Sequence, residues 1–246
     1  WFASRKVENL WEAAGKHGYL SASVAFPTSV AAGGDFIAPE FWWDGTELDS
    51  RFIDAMSVPQ GMILEMEKDI GRYAGGLDLT EAGDRQRYRA AMWVLDHKIA
   101  PRTKERPFFM SAYFASFDEM AHQYGVYSKE AAHAIEAIDR MLGDLVEKVH
   151  SMTDDRAVVC VVSDHGTLDN RYNIRPNVKL REAGLITTDG NGRVTDWRAW
   201  SQRAGGMSEI RLKNGQDEDA GKRLAQVMKE LSSDPAFGIL EVLDRE

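Results

Sequence analysis

The sequence predicts an α/β fold: a mostly parallel β-sheet with helices on both faces and a helical insertion near one edge. Three observations predict it. Pro107–Phe114 and Ala157–Val162 are almost unbroken apolar runs of strand length, the second rich in valine, as suits strands covered on both faces of a parallel sheet. A long helix-period stretch separates them, so strand, helix and strand over about 55 residues make a βαβ unit that is right-handed by default. Near the N-terminus, a helix, a glycine turn and a β-rich run make a further α/β unit. The chain of 246 residues is read as a single domain over 1–246, with an insertion or cap at about 35–105.

Taken in order, residues 5–17 form the first helix, because Val7, Leu10, Trp11 and Ala14 recur at helical spacing. Gly18, after His17, is its C-cap. Tyr19–Phe26 comes next as a strand, closed by Pro27 and the Gly33-Gly34 pair. In the insertion, Phe36–Trp43 is aromatic-rich, and Asp54–Arg72 and Ala82–His97 read as helices separated by Gly75-Gly76. After Pro107–Phe114, Ser128 is an N-cap for a helix to about Val149. Its apolar stripe is Ala131, Ala134, Ile135, Ile138, Met141, Leu142, Leu145 and Val149. Thr153-Asp154-Asp155 turns the chain into Ala157–Val162. Asn177–Ala183, ending at Gly184, and Glu218–Leu231 are further helices, with a short strand at Ile210–Leu212.

Composition narrows the function. With 43% hydrophobic and 28% charged residues the chain has the makings of a sizeable core. A formal charge of −9 argues against nucleic acid, whose phosphates need clustered Lys and Arg, and against an anionic membrane surface. No run approaches the ~18 apolar residues of a membrane span. The one cysteine, Cys160, excludes an internal disulfide and reads as a small core residue of a buried strand. The chain opens Trp1-Phe2-Ala3-Ser4 with neither a methionine nor a signal pattern, the expectation for a piece of a longer protein.

In parallel sheets, ligands bind beyond the carboxyl ends of strands. Two strand ends carry ligand-type residues: Asp118 and His122 within Ser116–Gly125, and Asp164 and His165 within Ser163–Thr167. The i, i+4 spacing places Asp118 and His122 on one helix face. Asp164 and His165 are adjacent and converge only on an irregular turn, which Gly166 permits. Carboxylate oxygen and imidazole nitrogen suit zinc, and with less preference manganese or iron. Two such pairs support two cations roughly 4 Å apart, the arrangement for in-line phosphoryl displacement. Each motif has an ordinary reading, a solvated helix face for the first and a capped turn for the second. Their joint occurrence at the ends of two linked strands favours the functional one.

Those segments resemble the Asp-x-x-x-His and Ser-Asp-His-Gly motifs of the type I phosphodiesterase/nucleotide pyrophosphatase family, within the alkaline phosphatase superfamily. The likeness extends to Leu10–Tyr19, Asn177–Leu185, Gly205–Ser208 and Asp234–Glu246, about two-thirds of the chain, and is weakest in the insertion. The resemblance implies an alkaline phosphatase-like fold and a two-zinc site, with Asp118 and His122 on one metal, Asp164 and His165 on the other, and Mn2+ as a possible substitute. It implies hydrolysis of a small-molecule phosphate ester through a covalent phospho-enzyme. It also implies an upstream Asp, an upstream Thr or Ser nucleophile and a downstream His, none of which can be placed in this chain. No His follows His165, and Thr28, Ser29 and Thr167 do not stand where the family has its nucleophile. Little or no turnover is therefore expected of these 246 residues alone. The resemblance favours a periplasmic or secreted protein. A phosphonate hydrolase, phosphomonoesterase or phosphomutase of the same superfamily stays open, as does a non-catalytic module, and so does the oligomeric state.

The remaining candidates are read as structural or secondary. His17, His97, His133 and His150 sit on or near helix ends or on the long helix. Trp42-Trp43 reads as packing rather than pocket lining. Asn170, Asn173, Arg171 and Arg175 are possible substrate contacts after the Asp-His-Gly turn.

Overall fold

A computed structural model describes residues 6–41, 49–73, 75–169 and 172–244. The chain divides into two compact units, Trp1–Asp169 and Asn170–Glu246.

The first unit is organised by a three-stranded parallel sheet in the order β2-β1-β3, with β1 Leu20–Val24, β2 Phe36–Ala38 and β3 Phe108–Ala112. All five residues of β1 are buried, as the central strand of a sheet covered on both faces requires. Alternation sorts the side chains. Leu20, Ala22, Val24, Phe36, Ala38, Phe108, Met110 and Ala112 face the larger core. Ile37 and Phe109 face the opposite side, packed with Trp11 and Ala32.

Helix α1 (Leu10–Lys16) covers that smaller face. It starts at a capping box in which Asn9 accepts from the Glu12 N–H and Glu12 reaches back to the Asn9 N–H, so it is shorter than the 5–17 expected. Trp11 pins it to the sheet: the indole Nε1–H donates to Ser111 Oγ at 3.1 Å, and that hydroxyl donates to Ser23 Oγ at 3.2 Å. The larger face is covered by α2 (Ser50–Ala55), α3 (Met62–Ile70) and α4 (Glu81–Val94), the last running on through a π turn at Leu95–Ile99. Ile53, Ile63, Met66, Trp93, Val94 and Leu95 are buried in the same core as β1. Each contributes about 1.5–3 kcal/mol by leaving water. The stretch expected as an insertion thus supplies an edge strand and most of one covering layer.

After β3 come α5 (Ser116–Tyr124) and the 25-residue α6 (Lys129–Thr153), whose Ser128 cap accepts from the Ala131 N–H as expected. Leu145, Val149 and Met152 of α6 pack on the larger core.

Two expectations fail beyond α6. Ala157–Val162 is not a strand: it carries no sheet pairing, and Val158, Val161 and Val162 are 89%, 71% and 80% exposed. Cys160 is accordingly exposed rather than buried. Composition expresses a preference for extended backbone, but a strand exists only where a neighbouring edge accepts its N–H and C=O groups. β1 is already paired on both sides, by β2 and β3, and no bond joins this segment to β3.

The second unit holds α7 (Pro176–Glu182), two antiparallel ribbons and α8 (Glu218–Ser233). The ribbons pair β4 (Ile186–Thr188) with β5 (Val194–Trp197), and β6 (Ala199–Ala204) with β7 (Met207–Leu212). The short strand expected at Ile210–Leu212 is the end of β7. Leu180, Leu185, Ile186, Ala199, Ala220, Val227 and Leu231 form this unit's own core. Among the described residues, no helix is long and apolar enough to cross a membrane.

Candidate functional site

Because β1, β2 and β3 are parallel, their carboxyl ends lie along one edge of the sheet. At that edge β3 gives way to Tyr113, whose N–H donates to Val24 O at 3.2 Å, and then to α5. Asp118 and His122 stand one turn apart on α5, with His122 Nε2 3.5 Å from Asp118 Oδ2. Gly125 closes the helix at φ +95, a backbone that a side chain resists, and its N–H satisfies Ala121 O.

Asp164 and His165 arrive by another route. The chain leaves α6 through Asp154 and Asp155, both left-handed at φ +51 and +58, which turns it sharply back. Ser163 donates its hydroxyl to the His165 carbonyl at 2.6 Å. His165 Nδ1 lies 3.1 Å from Gly166 O. A carbonyl only accepts, so Nδ1 carries the proton and Nε2 is free to bind on its other side. That Nε2 lies 3.6 Å from Asp164 Oδ2 and 4.0 Å from Asp118 Oδ1.

The structure therefore brings all four expected residues together, although 46 positions separate Asp118 from Asp164. With Nδ1 bonded to the Gly166 carbonyl, His165 turns Nε2 towards two carboxylates. That grouping takes either a proton on Nε2 or a cation between the three atoms. Asp118 Oδ1 makes the same point, being a buried oxygen without a hydrogen-bond donor. Ligands of a tetrahedral zinc with bonds near 2.0–2.1 Å stand about 3.3 Å apart, so separations of 3.5, 3.6 and 4.0 Å are slightly open for one. Among the described residues, no three His, Cys, Asp or Glu side chains form a closed metal-holding group. The donor set fits a divalent metal in kind. The contacts link in a chain rather than around a single point.

Tyr113 adds a residue that sequence reasoning missed. Burial first, then the Asp164, Glu40 and Asp118 carboxylates, push its phenol up to about 12. It remains a neutral O–H donor beside the site across ordinary pH. Its sequence signal is only that it ends the strand before α5. Along the same edge, the loop after β1 holds three non-glycine residues in left-handed backbone, Ala25, Thr28 and Ala31, of which β-branched Thr28 at φ +64 is the most strained. Ser29 Oγ in that loop accepts from the Glu40 N–H at the end of β2.

The other histidines make contacts outside the four. His17 caps the C-terminal end of α1. His97 bonds Trp93 O through Nδ1 and stacks on its indole, His133 meets Glu81 at 3.1 Å, and His150 meets Asp155 at 3.1 Å. Ser29 is buried and engaged, while Thr28 is exposed. Asn173 and Arg175 belong to the second unit, with Arg175 preceding the first turn of α7. Trp42, Trp43, Asn170 and Arg171 lie outside the described residues.

No curated protein and no solved structure matches the chain. One family model does: that of the type I phosphodiesterase / nucleotide pyrophosphatase family matches residues 1–243, both units included. The motif residues, the parallel α/β sheet and a match over nearly the whole chain agree, and the chain belongs to the type I phosphodiesterase / nucleotide pyrophosphatase family.

Proposed function

We propose that Asp118, His122, Asp164 and His165 are metal ligands of a phosphodiester- or pyrophosphate-hydrolysing site, with zinc the best-suited ion and manganese an alternative. The observation that carries this reading is the convergence of two carboxylates and two imidazoles from separate segments, with Asp118 Oδ1 left without a donor and His165 Nε2 turned towards it. Family membership makes the substrate a small-molecule phosphoester.

The family resemblance suggests the division of roles. Asp118 and His122, one turn apart on α5, would hold one ion, and Asp164 with His165 the other, with Asp118 Oδ1 close enough to His165 to link the two positions. Such ions, when bound, polarise the phosphoryl group and lower the pKa of a coordinated hydroxyl or water. The Nδ1–H bond to Gly166 O fixes the His165 ring so that Nε2 is presented for ligation. Tyr113 supplies a neutral hydroxyl that donates without competing for the metal. The nucleophile is assigned to none of the hydroxyls near the site. Ser163 is spent on the His165 carbonyl, and Ser116 is fully buried. The motif pairing favours a diester-type hydrolase over the phosphonate and mutase alternatives only through the family, so substrate class needs side-by-side assay.

In the enzyme that carries this chain, Asp164→Ala and His165→Ala should each abolish chelator-sensitive hydrolysis of bis(4-nitrophenyl) phosphate, a loss of at least ~10³ in kcat/KM. Wild-type turnover in either variant would overturn the assignment. Parallel assays with a monoester and a phosphonate separate the hydrolase types.

A further inference from the structure

Helix α5 has no cap of its own. The residue before its first turn is Ala115, and no side chain of the helix or its approach accepts from the opening N–H groups. Those groups need acceptors, because the first turn of any helix leaves its donors without intrahelical partners. They find them on a different helix. Asp84 of α4 accepts from the Ala115 N–H through Oδ1 and from the Ser116 N–H through Oδ2, both at 2.9 Å. Arg87, one turn further along α4, donates through Nη1 to Asp84 Oδ1 at 3.0 Å. Asp84 is 0% and Arg87 1% exposed.

A buried carboxylate at a helix N-terminus is favoured by the dipole as well as by its hydrogen bonds. Its location matters more than its strength. The two N–H groups it holds lie two and three residues before Asp118, so Asp84 fixes the start and direction of the segment that presents Asp118 and His122. Ligand geometry is sensitive to errors of about 0.5 Å or 10–20°. Among the described residues, no other side chain bonds the opening N–H groups of α5, and the Ser116 hydroxyl is buried without a partner.

We propose that Asp84, held by Arg87, is a positioning residue for the metal site, coupling α4 to the orientation of Asp118 and His122. This rests on the reading of those two residues as metal ligands and extends it to a pair that touches neither metal nor substrate. The same unit contains a matched control. Asp54, also buried, caps α3 from outside by accepting from the Gly61, Ile63 and Leu64 N–H groups at 3.0, 3.0 and 3.2 Å. Helix α3 carries none of the four ligands, so loss of its cap costs stability alone.

The test uses Zn2+ as the probe, titrated against a competing chelator. It compares the wild-type protein with Asp84→Asn, Asp84→Asn/Arg87→Met and Asp54→Asn, each checked for folding by circular dichroism and thermal melting. The double variant removes the buried arginine charge that the single one strands. The Kd for Zn2+ should rise about 10- to 100-fold in the Asp84 variants. Asp54→Asn should lower the Tm and leave the Kd where it was. An unchanged Kd in the Asp84 variants, or an equal rise in Asp54→Asn, overturns the positioning role. Failure of both Asp84 variants to fold also overturns it, by making the pair a requirement of the core. Absence of Zn2+ binding by the wild-type protein is a different failure, that of the metal-site reading itself, and takes the positioning role with it.

Discussion

Replacing Asp164 with Asn removes one charge and almost no volume, which makes it a clean probe of the electrostatics at the sheet edge. Asp118 Oδ1 and Asp164 Oδ2 lie 4.0 and 3.6 Å from the same His165 nitrogen, so the two oxygens are no more than about 7.6 Å apart. At pH 8 carboxylates are as a rule charged and imidazole is neutral. Asp118 Oδ1 is itself buried, but the two side chains are 40% and 62% exposed as a whole, so a dielectric constant near that of water is the conservative choice. Coulomb's law then gives a repulsion of roughly 0.5–1 kcal/mol. In the presence of chelator, Asp164→Asn should therefore stabilise the protein, raising the Tm by roughly 1–4 °C for a unit of this size. With Zn2+ the sign reverses. At about 100 times its Kd the ion stabilises the wild type by roughly 2.7 kcal/mol, worth roughly 5–11 °C, and most of that gain should disappear in the variant. Differential scanning calorimetry with and without chelator reads both effects. A variant less stable than the wild type in chelator, or one that keeps the full zinc-dependent rise, would refute the reasoning.

Two further outcomes rest on the packing and the charges. Gly83→Ala, in the first turn of α4, ought to gain about 1 kcal/mol on helix propensity alone. A Cβ there would stand 1.9 Å from Asp78 O and 2.7 Å from its carbonyl carbon, so backbone has to move. We expect a net loss of about 2 kcal/mol or more, seen as a lower urea midpoint, and any gain would mean that the Asp78 backbone yields at little cost. In the second unit, the hydrogen bonds from Arg198 hold the Asp217 carboxyl at about 2, below the usual carboxylate range, while Asp217 also caps α8 at the Ala220 N–H. A group with a depressed folded value contributes fully above its unfolded value and loses that contribution as pH falls through the folded one. Stability of this unit should therefore drop between about pH 4 and 2, and Asp217→Asn should flatten that part of the acid-unfolding profile.

Periodicity and caps account for what was legible in the sequence. The Ser128 cap, the strand before Asp118 and the i, i+4 Asp118–His122 pair are local patterns, and the structure contains each of them. The α6 stripe holds only in part: Ala131, Ala134 and Met141 are buried, but Ile135 is exposed and Ala137 takes its place in the buried face. Strand identity at Ala157–Val162 was not legible, because an apolar run states a preference while pairing depends on a neighbour elsewhere in the chain. The hairpins β4–β5 and β6–β7 left signals in Gly190-Asn191-Gly192 and Gly205-Gly206, turn residues between short alternating runs, that helix periodicity nearby outweighed. Asp84 and Arg87 were beyond sequence reasoning altogether. Among Glu81, Arg85 and Arg89 they look like one more charged helix face, and only the fold shows that they are buried, with Asp84 bonded to residues 31 and 32 positions away. The meeting of Asp118 with His165 was expected from two linked strand ends, and it occurs although the second of those strands does not form.

The most direct test of the account is anomalous X-ray diffraction from crystals of the protein grown with Zn2+. Zinc peaks should lie about 2.0–2.2 Å from oxygens of Asp118 and Asp164 and from the Nε2 atoms of His122 and His165, the last nitrogen being the one left free by the Gly166 bond. Zinc bound elsewhere, with these four side chains uncoordinated at saturating metal, would contradict it.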